Sequence, residues 1–201
     1  ALNLTDSLLT LSTNIDVVLD DINVDKADGT CFISHLEVTN HNGNLHMDSM
    51  SLITKQKDDT ERILEIKSDL VDLIAHGDFK LITLADLIQS DLQPYLNYNQ
   101  IKHLGNKQSI DLQAEIKNST PLTSLFLPEL KIAPKSSITV TKGYETLPEV
   151  HVNAPYIVYN NMAFMDLGIH MIEENNFLYG NLTLDNIDLR TKSLKITDVS
   201  I

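Results

Sequence analysis

The side chains able to do chemistry are numerous but scattered. Seven histidines stand at His35, His41, His46, His76, His103, His151 and His170. His41 and His46 flank Asn42-Gly43, so a hairpin there would bring them close. A metal pair is one reading of that spacing, and polar turn residues are the other. His76 and His170 fall on the polar positions of alternating segments and read as solvated. Asp20-Asp21, Asp58-Asp59 and Glu173-Glu174 offer paired carboxylates for acid–base work or for calcium. None has the spacing of a calcium loop, and charged turns and edges, which deter aggregation, account for them. Cys31 is the only cysteine, which excludes an internal disulfide. Between Thr30 and Phe32 it reads as a small buried apolar residue, not a nucleophile. The chain contains no Gly-rich phosphate loop, Walker-type lysine or Gly-x-Ser-x-Gly elbow. Asn3-Leu4-Thr5, Asn118-Ser119-Thr120 and Asn181-Leu182-Thr183 match the glycosylation triplet at the frequency chance gives in an Asn-rich chain. No catalytic set, metal site or cofactor is expected.

The elements that carry these residues alternate with period two. Ile15, Val17 and Leu19 oppose Asp16, Val18 and Asp20; Phe32, Leu36 and Val38 oppose Ile33, His35 and Glu37. Leu64-Glu65-Ile66-Lys67 starts a strand that ends at Ser68-Asp69. Val71, Leu73, Ala75, Gly77, Phe79 and Leu81 then share a face, as do Ile110, Leu112, Ala114 and Ile116. Val150 and Val152, then Met165, Leu167, Ile169 and Met171, then Leu178, Leu182 and Leu184, continue the pattern to Leu194-Lys195-Ile196. Asp28-Gly29, Asn42-Gly43, Asp58-Asp59 and residues 173–176 punctuate it as hairpin signals, for about a dozen strands. Two segments are helical instead. Thr83 to Leu96 carries Leu84, Leu87, Ile88 and Leu92 on one stripe, and Thr120-Pro121 opens a helix of about two turns with Thr120 as its cap, stopped by Pro128. Residues 97–107 are the linker candidate between sub-units 1–98 and 107–201.

Composition narrows the function classes. The 201 residues are 42% hydrophobic, 5% aromatic and without Trp, with a net charge of −13. Arg62 and Arg190 are the only arginines, so the clustered cations that displace counterions from nucleic acid are missing, and an anionic membrane surface repels such a chain. No apolar run reaches the roughly 20 residues of a membrane-spanning helix. Apolar patterning runs to both ends of the sequence, which reads as a fragment of a longer protein.

A mostly β chain with two helices must hide a one-sided sheet by curling it, sandwiching it or leaving an apolar trough. The expected architecture is an elongated, antiparallel, curled sheet, taco-like in section: a β-groove with one amphipathic helix and one short helix. Its apolar lining would comprise Val71, Leu73, Ala75, Phe79, Ile110, Leu112, Ala114, Ile116, Met165, Leu167, Ile169, Leu182 and Leu184. These aliphatic walls suit acyl chains, and they equally suit a dry core. The helix stripe Leu84, Leu87, Ile88 and Leu92 either plugs the sheet or gates the groove. The alternative architecture is a closed β-sandwich serving surface adhesion or protein interaction.

The order of several short patterns resembles the TamB-type translocation and assembly proteins of Bacteroidetes, related to AsmA and bridge-like lipid transfer proteins. The patterns are Ile63 to Asp69, Leu70 to Phe79 ending in Gly77-Asp78-Phe79, a Leu-rich helix ending near Pro94-Tyr95-Leu96, Ile110 to Asn118, Leu130-Lys131-Ile132-Ala133-Pro134 and Ala154-Pro155-Tyr156 to Met162. The likeness covers residues 60–185. Asn161 stands where that family commonly has Gly. The resemblance implies a periplasmic β-groove within an inner-membrane-anchored envelope protein, without catalytic residues. The implied function is either transport of phospholipids toward the outer membrane or assistance to the assembly of outer-membrane proteins, and the implied partners are phospholipid acyl chains and, by strand addition, an outer-membrane β-barrel.

Overall fold

Alternating aliphatic and polar residues cannot satisfy backbone amides singly, so the segments pair edge to edge. The computed structural model describes residues 10–23, 25–58, 60–81, 108–144, 146–174, 177–189 and 195–200. They form β1 (Thr10–Leu19), β2 (Gly29–Asn40), β3 (Gly43–Gln56), β4 (Arg62–Ser68), β5 (Val71–Gly77) and β6 (Ile110–Ile116). A short helix, α1 (Thr120–Phe126), follows, then β7 (Leu130–Ile132), β8 (Ser136–Lys142), β9 (Glu149–Tyr159), β10 (Met162–Glu174), β11 (Phe177–Leu189) and β12 (Lys195–Ser200). All pairings are antiparallel, in one open sheet of order β1-β2-β3-β4-β5-β6-β8-β9-β10-β11-β12. Long β9 serves both β8, along Glu149–Asn153, and β7, along Ile157–Tyr159. The expected fold class, an elongated antiparallel sheet consistent with a curled groove, is what the chain adopts. A sandwich needs a second stacked sheet, and the described residues form only one. β5 pairs directly with β6, so the two strands that flank residues 78–109 in sequence are neighbours in the one sheet. The helix expected at 83–96, with Leu84, Leu87, Ile88 and Leu92, and the linker at 97–107 lie outside the described residues.

The apolar face changes phase once along its length. In β2, Leu36 and Val38 join a core with Leu45 and Met47 of β3, whereas Phe32, expected on the same side, is 45% exposed. His35 between them has φ 54, and this left-handed residue shifts the alternation by one. Opposite it, the consecutive amides of Asp48 and Ser49 both donate to Asp69 Oδ2, at 2.8 and 3.2 Å, so β3 shifts as well. The inward series passes from Leu45 and Met47 to Met50, Leu52 and Thr54 without losing its apolar side.

Local devices close the ends of this face. Helix α1 places Leu125, fully buried, against Val38, Leu45, Met47 and Leu70. Asn40 Nδ2 and Asn42 Nδ2 both donate to Leu125 O, at 3.0 and 3.1 Å, pinning the β2–β3 turn to the helix end. The helix begins one residue earlier than expected: Ser119 is the cap position, and its hydroxyl donates to Ile132 O while Asn118 Oδ1 accepts from Thr120 N. A second core joins Leu64, Ala75, Ile110 and Leu112 to Phe79 beyond β5. Gly77, with φ 139, permits that exit, because a Cβ there would sit 2.3 Å from Ser109 O. At the same end Arg62, 3% exposed, donates to Asp25 O, to Ala27 O at 3.0 Å and to Thr54 Oγ1 at 2.8 Å. The sheet thereby holds the 20–28 connection, which replaces the tight turn expected at Asp28-Gly29: Gly29 is already the first residue of β2.

Replacing Arg62 with Met is expected to destabilise the chain by about 2–4 kcal/mol, since three oxygens lose a charged donor in a buried site. Urea denaturation measures this, and a loss below about 1 kcal/mol would show that the connection does not depend on the guanidinium. Asp58 closes the β3–β4 turn by accepting from the amides of Glu61 and Thr60 and from the Thr60 hydroxyl. Those donors hold its carboxyl below the ordinary aspartate range, so its contribution is complete above that range and lost as pH falls through the lowered value. The stability difference between the wild type and Asp58→Ala should therefore shrink in acid; a difference independent of pH refutes this reading.

Candidate functional site

Register turns separate strands into continuous rows, because residues directly opposite share one face. One row runs Val17, Cys31, Leu52, Ile66, Leu73, Ala114, Ile138, Val152, Ile169 and Leu182, one residue from each of ten neighbouring strands. Every member is apolar. At about 4.8 Å per strand the row spans roughly 43 Å. The next row on that face is Leu19, Gly29, Thr54, Leu64, Ala75, Leu112, Val140, Val150, Met171 and Gly180, with Thr54 its one polar side chain.

The expected lining residues are distributed over this surface. Leu73, Ala114, Ile169 and Leu182 lie in the first row, and Ala75 and Leu112 in the second. Val71 and Ile116 oppose each other one step further along. Leu167 opposes Ala154, and Leu184 is buried. Met165 is less well placed, since its partners are Tyr156 and Asn186 and the neighbouring Asp166 has φ 48. Ile110, Leu112, Ala75 and Phe79 are already buried together, so this end of the surface is packed by the chain's own Phe79. The open end is β1, where Leu11 (61%), Ile15 (56%) and Val17 (53%) remain exposed. Cys31, expected as a small buried apolar residue, stands in the first row and is half-buried. Sequence reasoning missed β8, and with it Ile138 and Val140. The signal was the β-branched alternation Ile138-Thr139-Val140-Thr141.

The opposite face is mostly polar, with Ile53 and Ile74 beside Glu65, and carries ion pairs such as Lys67–Glu65 at 2.5 Å and Lys117–Asp72 at 2.6 Å. Glu65 beside Lys67 raises the lysine's affinity for its proton. A recess of about 470 Å³ is lined by Ile66, Leu73, Ala114, Ile138 and the residues flanking each in sequence. His41 and His46 are not brought together as a pair: His46 instead contacts Asp48 at 2.8 Å and Glu37 at 3.7 Å.

One grouping on this face was not anticipated. His170, expected to stand solvated by itself, stacks on His151 with ring centres 4.1 Å apart and planes 11° from parallel. Nε2 of each ring lies against the same carboxylate oxygen, Glu149 Oε1, at 2.9 and 3.0 Å. These two contacts pull the Glu149 carboxyl below the ordinary glutamate range. The pairing follows from the β9–β10 turn, where Asn160 and Asn161 are both left-handed, with φ 48 and 65. A two-residue turn at that point forces His151 opposite His170. Reading Asn160-Asn161 as such a turn would have located the pair in the sequence. A smaller recess of about 240 Å³ adjoins it, lined by Ser137, Thr139, Asn153, Gly168, Asn181 and Thr183 among others.

No family model, curated protein or solved structure matches this chain.

The turn supplies its own test. Asn161→Gly should be tolerated, whereas Asn161→Val should cost about 1–2 kcal/mol, because a β-branched residue resists a left-handed backbone. Denaturation midpoints read the difference; equal effects of Gly and Val would mean that the turn geometry is not what holds the register.

Proposed function

We propose that this chain is a non-enzymatic module of cell-envelope biogenesis whose apolar sheet face accepts phospholipid acyl chains. The observation carrying this reading is the unbroken apolar row across ten strands, on a sheet that remains open at its β1 end. The row exceeds the roughly 30 Å thickness of a bilayer's whole hydrocarbon core, and therefore the reach of one leaflet's chains. Each methylene transferred from water to this surface gains about 0.8 kcal/mol, so a long chain is retained. Along the first row Leu, Ile, Val and Ala, with Cys31 on β2, present nearly equivalent sites, without an aromatic ring or charged side chain in the row to halt sliding. Headgroups remain in water at the margins, where the polar side chains stand. The resemblance to TamB-type proteins agrees with this architecture and supplies its periplasmic setting and its direction, toward the outer membrane. Among the described residues β1 pairs with β2 alone, and its free edge suits addition of a strand from a β-barrel partner.

Solvent extraction and mass spectrometry of the purified chain test the reading. Phospholipid above background is expected in the wild type. Leu73→Asp and Ile138→Asp, each placing a charge in the middle of the row, should reduce it severalfold while circular dichroism still reports a folded sheet. Wild-type protein free of lipid, and unable to take up a fluorescent fatty acid from vesicles, would overturn the proposal.

A further inference from the structure

The cluster on the polar face has the ligand set of a metal site, and the lipid reading makes no use of it. We infer that Glu149, His151 and His170 bind a divalent first-row ion of the zinc class. Three atoms of suitable type, two imidazole nitrogens and a carboxylate oxygen, all lie within 4.8 Å of one another. Zinc takes such ligands at about 2.0–2.2 Å, which sets tetrahedral neighbours roughly 3.3–3.5 Å apart. The Nε2 atoms stand 2.9 and 3.0 Å from Oε1, and the two stacked rings, 11° from parallel, must tilt toward each other for both in-plane lone pairs to meet one ion. On binding, each neutral ring carries its proton on Nδ1 and turns the Nε2 lone pair to the ion. The nitrogen–oxygen set favours zinc, nickel or copper over calcium and magnesium, which prefer all-oxygen shells.

The fold already fixes these ligands. His151 and His170 sit on adjacent strands in direct register, Glu149 lies two residues before His151 on the same face, and the Asn160-Asn161 turn sets all three. Side-chain exposures of 53% for His151 and 41% for His170 leave the site open to an ion from solvent. Three protein ligands leave at least one coordination position free, and the adjoining recess, where Gly168 contributes no side chain, has room for a water or an anionic oxygen there.

Isothermal titration of the purified chain with zinc chloride tests the assignment, with the visible spectrum of the cobalt-loaded chain reporting coordination directly. One equivalent of zinc is expected. His151→Ala and His170→Ala should each weaken binding at least roughly tenfold, and the double variant should abolish it. His46→Ala, which alters a separate pair of histidine–carboxylate contacts, with Asp48 and Glu37, should leave binding unchanged. Should the double variant fail to fold, Glu149→Gln, which keeps the side chain's shape, takes its place. Absence of stoichiometric uptake, or uptake that survives these substitutions, overturns the inference. Neither result depends on whether the chain carries lipid.

Discussion

Cross-strand register is the constraint on which the other features rest. A strand with period-two alternation has two faces, and a slip of one residue exchanges them. Here nine successive pairings bring apolar residues opposite apolar residues, from Val17 to Leu182. The same pairings put His151 beside His170 on the reverse side. One slip between β9 and β10 would break the row and separate the histidines together.

Irregular residues protect that alignment. His35 and the Asp48–Ser49 step let β2 and β3 change phase together, so neither strand turns its aliphatic side chains to water. Asn160 and Asn161 fix one hairpin, and Asn40, whose side-chain Oδ1 accepts from the amides of Asn42 and Gly43, fixes another. The two packed cores cover different parts of the surface, one beneath α1 and one beneath Phe79. Burial fades toward β1, where the apolar side chains have few neighbours. The surface is thus anchored at some points and accessible at others. The two faces differ in chemistry: most of the ion-paired carboxylates, lysines and histidines stand on one, with Ile53 and Ile74 among them, and most of the aliphatic side chains stand on the other.

Much of this was legible in the sequence, because alternation is a local property. The one-sided strands, the Asn42-Gly43 turn, the short helix after Asn118 and the aliphatic character of Leu73, Ala114, Ile169 and Leu182 all follow from residue order. Asn118-Ser119-Thr120 misled by one residue, since Ser119 gives its hydroxyl to Ile132 rather than to the helix. Strand β8 escaped because Ser, Thr and Lys surround only two aliphatic residues.

What the sequence alone determined is therefore which residues alternate and which faces are greasy. Which strand lies beside which, and at what offset, was decided by the tertiary structure. Phe32 shows why: its outward position depends on the left-handed backbone at His35, matched by a shift in a partner strand. The grouping of Glu149, His151 and His170 is likewise a matter of pairing, for His170 is 19 positions from its stacking partner. Alternation is settled by neighbours along the chain, whereas a row or a cluster exists only once hydrogen bonds between distant segments have selected one register.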